Sequence, residues 1–294
     1  MRIAIAGSSG LIGTELVVSL RADGHEVLRL VRRSPKAPTE VQWDPASGDI
    51  DLDALAGTEV FINLAGAGVG DHRWSDSYKK EILDSRVNAT KTIARAAAQL
   101  RAKTLVNASA IGWYGDTGES SVDESSPAGK GFLPEVVVAW EKAADEARNA
   151  GVRVVHPRTG LVVSKNGGAW AKLIPLFKLG LGGKMGNGKQ YWSFISIRDE
   201  ISAIKFVIAN ESISGPVNFT APHPATNAEI TKAMSTVYKR PAFFHVPAIA
   251  LQTVLGEFSQ EVLGSSRVLP RVLEAAGFTF EDPDVLSAMK TLVN

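Results

Sequence analysis

The chain has 294 residues, no cysteine, and opposing charges that nearly cancel, 32 Lys and Arg against 31 Asp and Glu. That length suits one large α/β domain, alone or with a smaller C-terminal lobe, and the charge balance argues against a nucleic-acid surface or a polybasic membrane patch. The lack of thiols excludes disulfides and thiolate-held metal, and His25, His72, His156, His223 and His245 have no spacing that sets two on one helical face as ligands. No stretch approaches the roughly 20 apolar residues that span a bilayer. The chain opens on a strand, not on the apolar core of a signal peptide. The expectation is a cytoplasmic protein with a small-molecule substrate and neither nucleic acid nor membrane as partner.

In chain order, apolar runs bounded by turn residues alternate with longer amphipathic stretches. Buried strands are predicted at Arg2–Ala6, Glu26–Val31, Val60–Leu64, Thr104–Ala108 and Arg153–Pro157, with helices at Leu11–Ala22, Ser75–Leu100 and Phe132–Asn149. That alternation implies a parallel sheet covered on both faces, a Rossmann-type doubly wound core. Beyond residue 160 the rhythm changes. A helix is expected at Ala169–Leu179, another capped by Asp199, a strand at Pro216–Thr220, and a helix opened by the capping box Thr226-Asn227-Ala228-Glu229. Gly182–Gln190 reads as a mobile loop, Phe243–Leu255 as an aromatic core helix, and the last forty residues as two short helices around Gly277-Phe278. The division expected is 1–220 for the core and 221–294 for a smaller C-terminal α/β lobe that roofs the substrate side.

The first strand runs into Gly7-Ser8-Ser9-Gly10-Leu11-Ile12-Gly13, which opens the first helix. Gly7 permits a tight turn, Gly10 a close approach to a pyrophosphate, and Gly13 helix packing near the strand. The unpaired amides and positive end of the helix would face the phosphates. Strand two ends in Arg32-Arg33, with no carboxylate between Glu26 and Glu40 to hold a ribose 2′-hydroxyl. A guanidinium pairs with a 2′-phosphate, so Arg32 helped by Arg33 points to NADP; two solvated arginines are the plainer alternative. The small residues of Asn63-Leu64-Ala65-Gly66 end strand three where adenosine or ribose would lie.

Several segments together then resemble a known group. Asn63-Leu64-Ala65-Gly66, Lys80–Arg86, Ser109–Gly115, Trp140-Glu141, Pro157–Val162, Phe194–Asp199, Arg267–Pro270 and Gly277–Phe280 are similar to the atypical short-chain dehydrogenase/reductases called epimerase family proteins, relatives of NAD-dependent sugar-nucleotide epimerases. The resemblance runs end to end. It implies NADP contacts at Arg32, Leu64, Ala65, Glu81, Arg86 and Val162. From the residues alone, Glu81 and Arg86 also read as a solvated helix face and Val162 as core.

Catalysis departs from the pattern. Short-chain dehydrogenases use Tyr-x-x-x-Lys on one helix, the lysine lowering the tyrosine pKa. Here those positions hold Val136 and Trp140, and none of Tyr78, Tyr114, Tyr191 and Tyr238 has a lysine four residues on. Ser109, near the position of the usual polarising serine, and Tyr114, at the same strand edge, are the candidate catalytic residues; cofactor lining and aromatic packing are the alternatives. Two readings follow: an NADP-dependent oxidoreductase or epimerase on a small polar molecule, or a non-catalytic NADP-binding sensor.

Overall fold

The computed structural model describes residues 1–293. Its main sheet contains β1 (Arg2–Ala6), β2 (Glu26–Val31), β3 (Glu40–Asp44), β4 (Asp49–Ile50), β5 (Val60–Asn63) and β6 (Thr104–Asn107). A short β7 (Ser109–Ala110) follows; β8 (Ser121–Val122) lies outside the sheet, and β9 (Arg153–Thr159) returns to it. With the strand Gly215–Phe219 the order is Gly215–Phe219, β9, β6, β5, β1, β2, β3, β4. All pairings from Gly215–Phe219 to β3 are parallel, and only the β3–β4 hairpin is antiparallel. The order reverses between β1 and β5, the switch point above which doubly wound sheets bind ligands.

The helices are α1 (Leu11–Ala22), α2 (Asp76–Gln99), α3 (Phe132–Lys142), α4 (Asp145–Asn149), α5 (Gly168–Lys178), α6 (Ile197–Ala209) and α7 (Asn227–Tyr238), followed by shorter ones. α1 and α6 pack Leu16, Leu20, Ile204 and Val207 on one face of the sheet. α2 and α4 cover the other with Ile93 and with Ala89, Ala96 and Ala147, whose small side chains let the helices approach closely. A separate apolar cluster joins Trp170 and Phe177 of α5 to Ile230 and Met234 of α7 and to Met289 near the C-terminus. The burial pattern explains the legibility of β1, β5 and β6, whose residues are almost all buried on both faces.

Four expectations are corrected. The helix predicted over Phe132–Asn149 breaks into α3 and α4 at Ala143-Ala144. Ser196, not Asp199, caps α6, accepting from the Asp199 N–H; the Asp199 carboxylate instead accepts the N–H groups of Glu281 and Asp282 at 2.8 and 2.9 Å. Gly182–Gln190 is tied down: Gly183–Met185 forms a strand, and Gln190 donates to Met185 O. Phe243–Leu255 is neither one helix nor core, because Phe244–Val246 is a strand and the helix Ala248–Leu255 buries none of its residues. The Thr226 capping box forms as its spacing predicts.

Candidate cofactor and substrate site

Gly7 turns the chain at φ +75°, and a Cβ there would lie 2.6 Å from the Leu64 carbonyl. A Cβ on Gly13 would lie 2.2 Å from Gly7 O. Only hydrogen fits at either place, so Gly7 lets the α1 entry press against the chain after β5 and Gly13 lets α1 pack on its own entry turn. Gly10 caps α1 without a side-chain bond, and the first turn holds no acid. Its amides therefore remain available beside a positive helix end. Ser8 is buried, whereas Ser9 and Gly10 are exposed. Leu11 meets the loop after Leu161–Val163: a Cβ on Gly167 would approach its side chain to 3.3 Å. Ile12, Leu64 and Val162 pack as partly buried neighbours against one core cluster. The structure thus gathers Gly7–Gly13, Leu64, Ala65 and Val162 around the switch point.

Behind β5, Asn63 Nδ2 donates to Asn107 Oδ1 at 2.8 Å and to Thr90 Oγ1 at 3.0 Å, and Asn63 Oδ1 accepts the Ala65 N–H. This buried knot fixes the Leu64–Gly66 segment. Arg86 donates to Ala67 O and Ile82 O and lies over the Trp140 ring, 5.0 Å from its centroid. No carboxylate pairs with it among the described residues, and burial lowers its pKa to about 10. Arg86 is only partly buried, and two carbonyl acceptors meet its guanidinium where a counter-charge would otherwise be needed. Glu81, five residues earlier on α2, is exposed.

The two strand-end arginines behave differently. Arg33 grips the buried Glu40 carboxylate with both terminal nitrogens at 2.7 and 2.8 Å, and Arg29 reaches it from β2. The bonds from Arg33 and from the Lys36 N–H hold the Glu40 carboxyl down at about 2. Arg32 is exposed and makes no ion pair among the described residues. Glu40 therefore neutralises Arg33 and leaves Arg32 as the exposed guanidinium of the pair, a division the sequence did not reveal because β3 was unrecognised.

Ser109 and Tyr114 lie in one buried chain of polar contacts. Ser109 Oγ donates to Glu141 Oε1 at 2.6 Å, and Arg158 clamps the same carboxylate through Nε at 2.8 Å and its other branch at 3.0 Å. Arg158 also donates to the Tyr114 hydroxyl at 3.1 Å and stacks on Trp113. Tyr114 donates to Asn218 Oδ1 at 2.7 Å, while Asn218 Nδ2 donates to Leu269 O. Burial raises the Tyr114 pKa. Both hydroxyl protons are thus directed at protein acceptors. Glu141, Arg158 and Asn218 received no role from sequence; the pairs Trp140-Glu141 and Pro157-Arg158 were the available signal. Val136 and Trp140 are buried on α3, where neither can exchange a proton.

The C-terminal segment closes over the loop that follows β5. Phe258 packs near Trp74, which meets Phe132 edge-on, and Glu257 pairs with Lys79 at 2.5 Å. Trp192 is spent on packing, its Nε1 donating to Val262 O, whereas Tyr191 lies beneath Arg267.

Residues 3–219 match the NAD dependent epimerase/dehydratase family, and residues 246–292 match a domain of unknown function, DUF1731. The chain belongs to the epimerase/dehydratase family. An epimerase family protein of Mycobacterium leprae is 44% identical over 288 residues, covering 98% of this chain and 94% of the relative. Among solved structures, the human epimerase family protein SDR39U1 (isoform 2) with NADPH is 32% identical, with a TM-score of 0.91 and full coverage of both chains. A nucleoside-diphosphate sugar epimerase from Corynebacterium glutamicum is 36% identical with a TM-score of 0.82, covering all of this chain and 59% of that one. No described helix of this family member is long and apolar enough to cross a membrane.

Proposed function

We propose that the chain binds NADP(H) at the β1–β5 switch point and is an oxidoreductase or epimerase acting on a small polar substrate, nucleotide sugars included, without a Tyr-x-x-x-Lys pair. The observation that carries this reading is the side-chain-free junction of Gly7 with Leu64, beside uncapped helix amides and an unpaired Arg32. Gly7, Ser8, Ser9, Gly10, Leu11, Ile12 and Gly13 hold the pyrophosphate, and Arg32, with Arg33 behind it, selects the 2′-phosphate. Leu64, Ala65 and Gly66 receive the adenosine side, and Glu81, Arg86 and Val162 complete the contacts. The NADPH in the structure of the human relative supports the assignment.

Bound nicotinamide supplies hydride transfer. This chain's own residues limit the accompanying proton chemistry. Because Ser109 donates to Glu141, it presents lone pairs to a ligand and serves as an acceptor for a substrate hydroxyl or amide. Tyr114, donating to Asn218, positions Arg158. A second reading, a non-catalytic NADP-binding sensor, is favoured by Val136 and Trp140 occupying the acid and lysine positions. The experiment is a deuteride-transfer screen: the protein with 4-deuterated NADPH and a panel of carbonyl and nucleotide-sugar compounds. Transfer of the label that falls in Ser109→Ala supports the enzyme. Firm NADPH binding with no transfer across the panel supports the sensor.

A further inference from the structure

A pocket of about 460 Å³ lies between the β3–β4 turn, α2 and the end of α3. None of the residues gathered at the switch point lines it, and its volume is within the range of small-molecule sites. One stripe of α2 builds its wall. Asn88, Lys91, Thr92 and Arg95 recur at the three- and four-residue spacing that puts side chains on one helical face. Lys142, in the last turn of α3, adds a third cation where the helix breaks at Ala143-Ala144.

The charges of this pocket are not balanced. Lys91 and Lys142 pair with no carboxylate among the described residues, although elsewhere on α2 Lys79 meets Glu257 and Lys80 meets Asp84. Glu146 is the one acid among the described lining residues, and the neighbouring Asp145 is taken by Arg148. The wall therefore keeps a net positive charge. Lys91 and Arg95 stand four apart, a like-charge spacing that weakens a helix, and an anion between them reverses the sign. Arg95 donates to Gly48 O, where the chain turns at φ +84° and a Cβ would lie 3.2 Å from the guanidinium. That contact pins the side chain, and its other N–H groups have no acceptor among the described residues. The apolar lining is Pro45, Ala46 and Ala143, with no ring on which a base stacks. Three cations around a polar hollow of this size fit phosphoryl oxygens, the guanidinium as a fork and the ammonium groups as point charges.

We propose that this pocket binds a small phosphorylated metabolite, held by Lys91, Arg95 and Lys142 at a site separate from the cofactor groove. The inference does not depend on the cofactor assignment. The experiment is a titration of inorganic pyrophosphate into the isotope-labelled full chain, followed by NMR at the backbone amides of Gly48, Thr92 and Ala143. It is repeated on Lys91→Glu/Lys142→Glu. The expected result is saturable shifts at these amides, with affinity about tenfold or more weaker in the variant, which loses two charge-assisted contacts. Both lysines are exposed, and the variant keeps the wild-type response to NADPH. Salt dependence on the wild type covers the case of a variant that fails to fold: pyrophosphate affinity at the pocket must fall as ionic strength rises. Pocket amides that do not shift, shifts retained at full affinity in the folded variant, or salt-independent binding overturn the inference. Pyrophosphate that shifts only the Gly7–Gly13 amides overturns it too, while leaving the cofactor reading in place.

Discussion

Ser109 Oγ donates to Glu141 Oε1 at 2.6 Å, on the carboxylate that Arg158 already holds through two nitrogens. The serine is therefore a neutral donor to one carboxylate oxygen of a buried ion pair. Ser109→Ala leaves the Glu141–Arg158 pair intact and loses one bond to a charged group, worth about 1.5–3 kcal/mol. Glu141→Gln leaves Arg158 buried without its counter-charge and costs about 3–5 kcal/mol. Denaturant unfolding of both variants checks the order; equal losses would deny the ion pair its place at the centre.

Tyr114→Phe removes the donor to Asn218 and an acceptor for Arg158. Unfolding should show a loss of about 1–3 kcal/mol, the penalty for unsatisfied buried groups, with NADPH affinity unchanged. A variant as stable as the wild type would show that the Tyr114 hydroxyl is not held as described.

Glu200 is buried on α6; its Oε1 accepts from Thr159 Oγ1 at 2.9 Å and its other oxygen has no partner among the described residues. Burial raises its pKa to about 8. The folded protein keeps this proton while the unfolded chain releases it near 4.5, so its stabilising share is intact below about pH 4.5 and is lost as pH rises toward 8. Glu200→Gln keeps the Thr159 bond and removes the ionisation. The stability advantage of this variant should grow between pH 5 and 8 by at most about 1.4 kcal/mol per pH unit. A difference that is flat with pH would contradict a protonated Glu200.

Much of this architecture was legible because its signals are local. β1, β2 and the glycine turn could be read from apolar runs and residue type alone, and the Thr226 capping box from four consecutive residues. The pairings that shape the site are not local. Glu40 meets Arg33 only because β3 lies beside β2, and Ser109 meets Glu141 and Arg158 only because β7 pairs with β9. The Phe243–Leu255 segment misled for a different reason: its composition is that of a core, but Phe244–Val246 is a strand and the helix Ala248–Leu255 buries none of its residues.

Arg33→Ala unbinds Glu40 from its strongest partner and leaves a carboxylate next to the proposed 2′-phosphate site. NADPH affinity should fall while NADH affinity holds, and adding Glu40→Gln should restore part of the loss. No restoration would mean that Arg33 contacts the phosphate directly instead of masking Glu40.

The central claim rests on Arg32, and calorimetric titration of NADPH and NADH into the wild type and Arg32→Ala tests it most directly. The account predicts that NADPH weakens about ten- to a hundred-fold, the worth of a charge-assisted bond of about 1.5–3 kcal/mol, with NADH nearly unchanged. Equal losses for the two cofactors, or a wild type that binds neither at millimolar concentration, would contradict it.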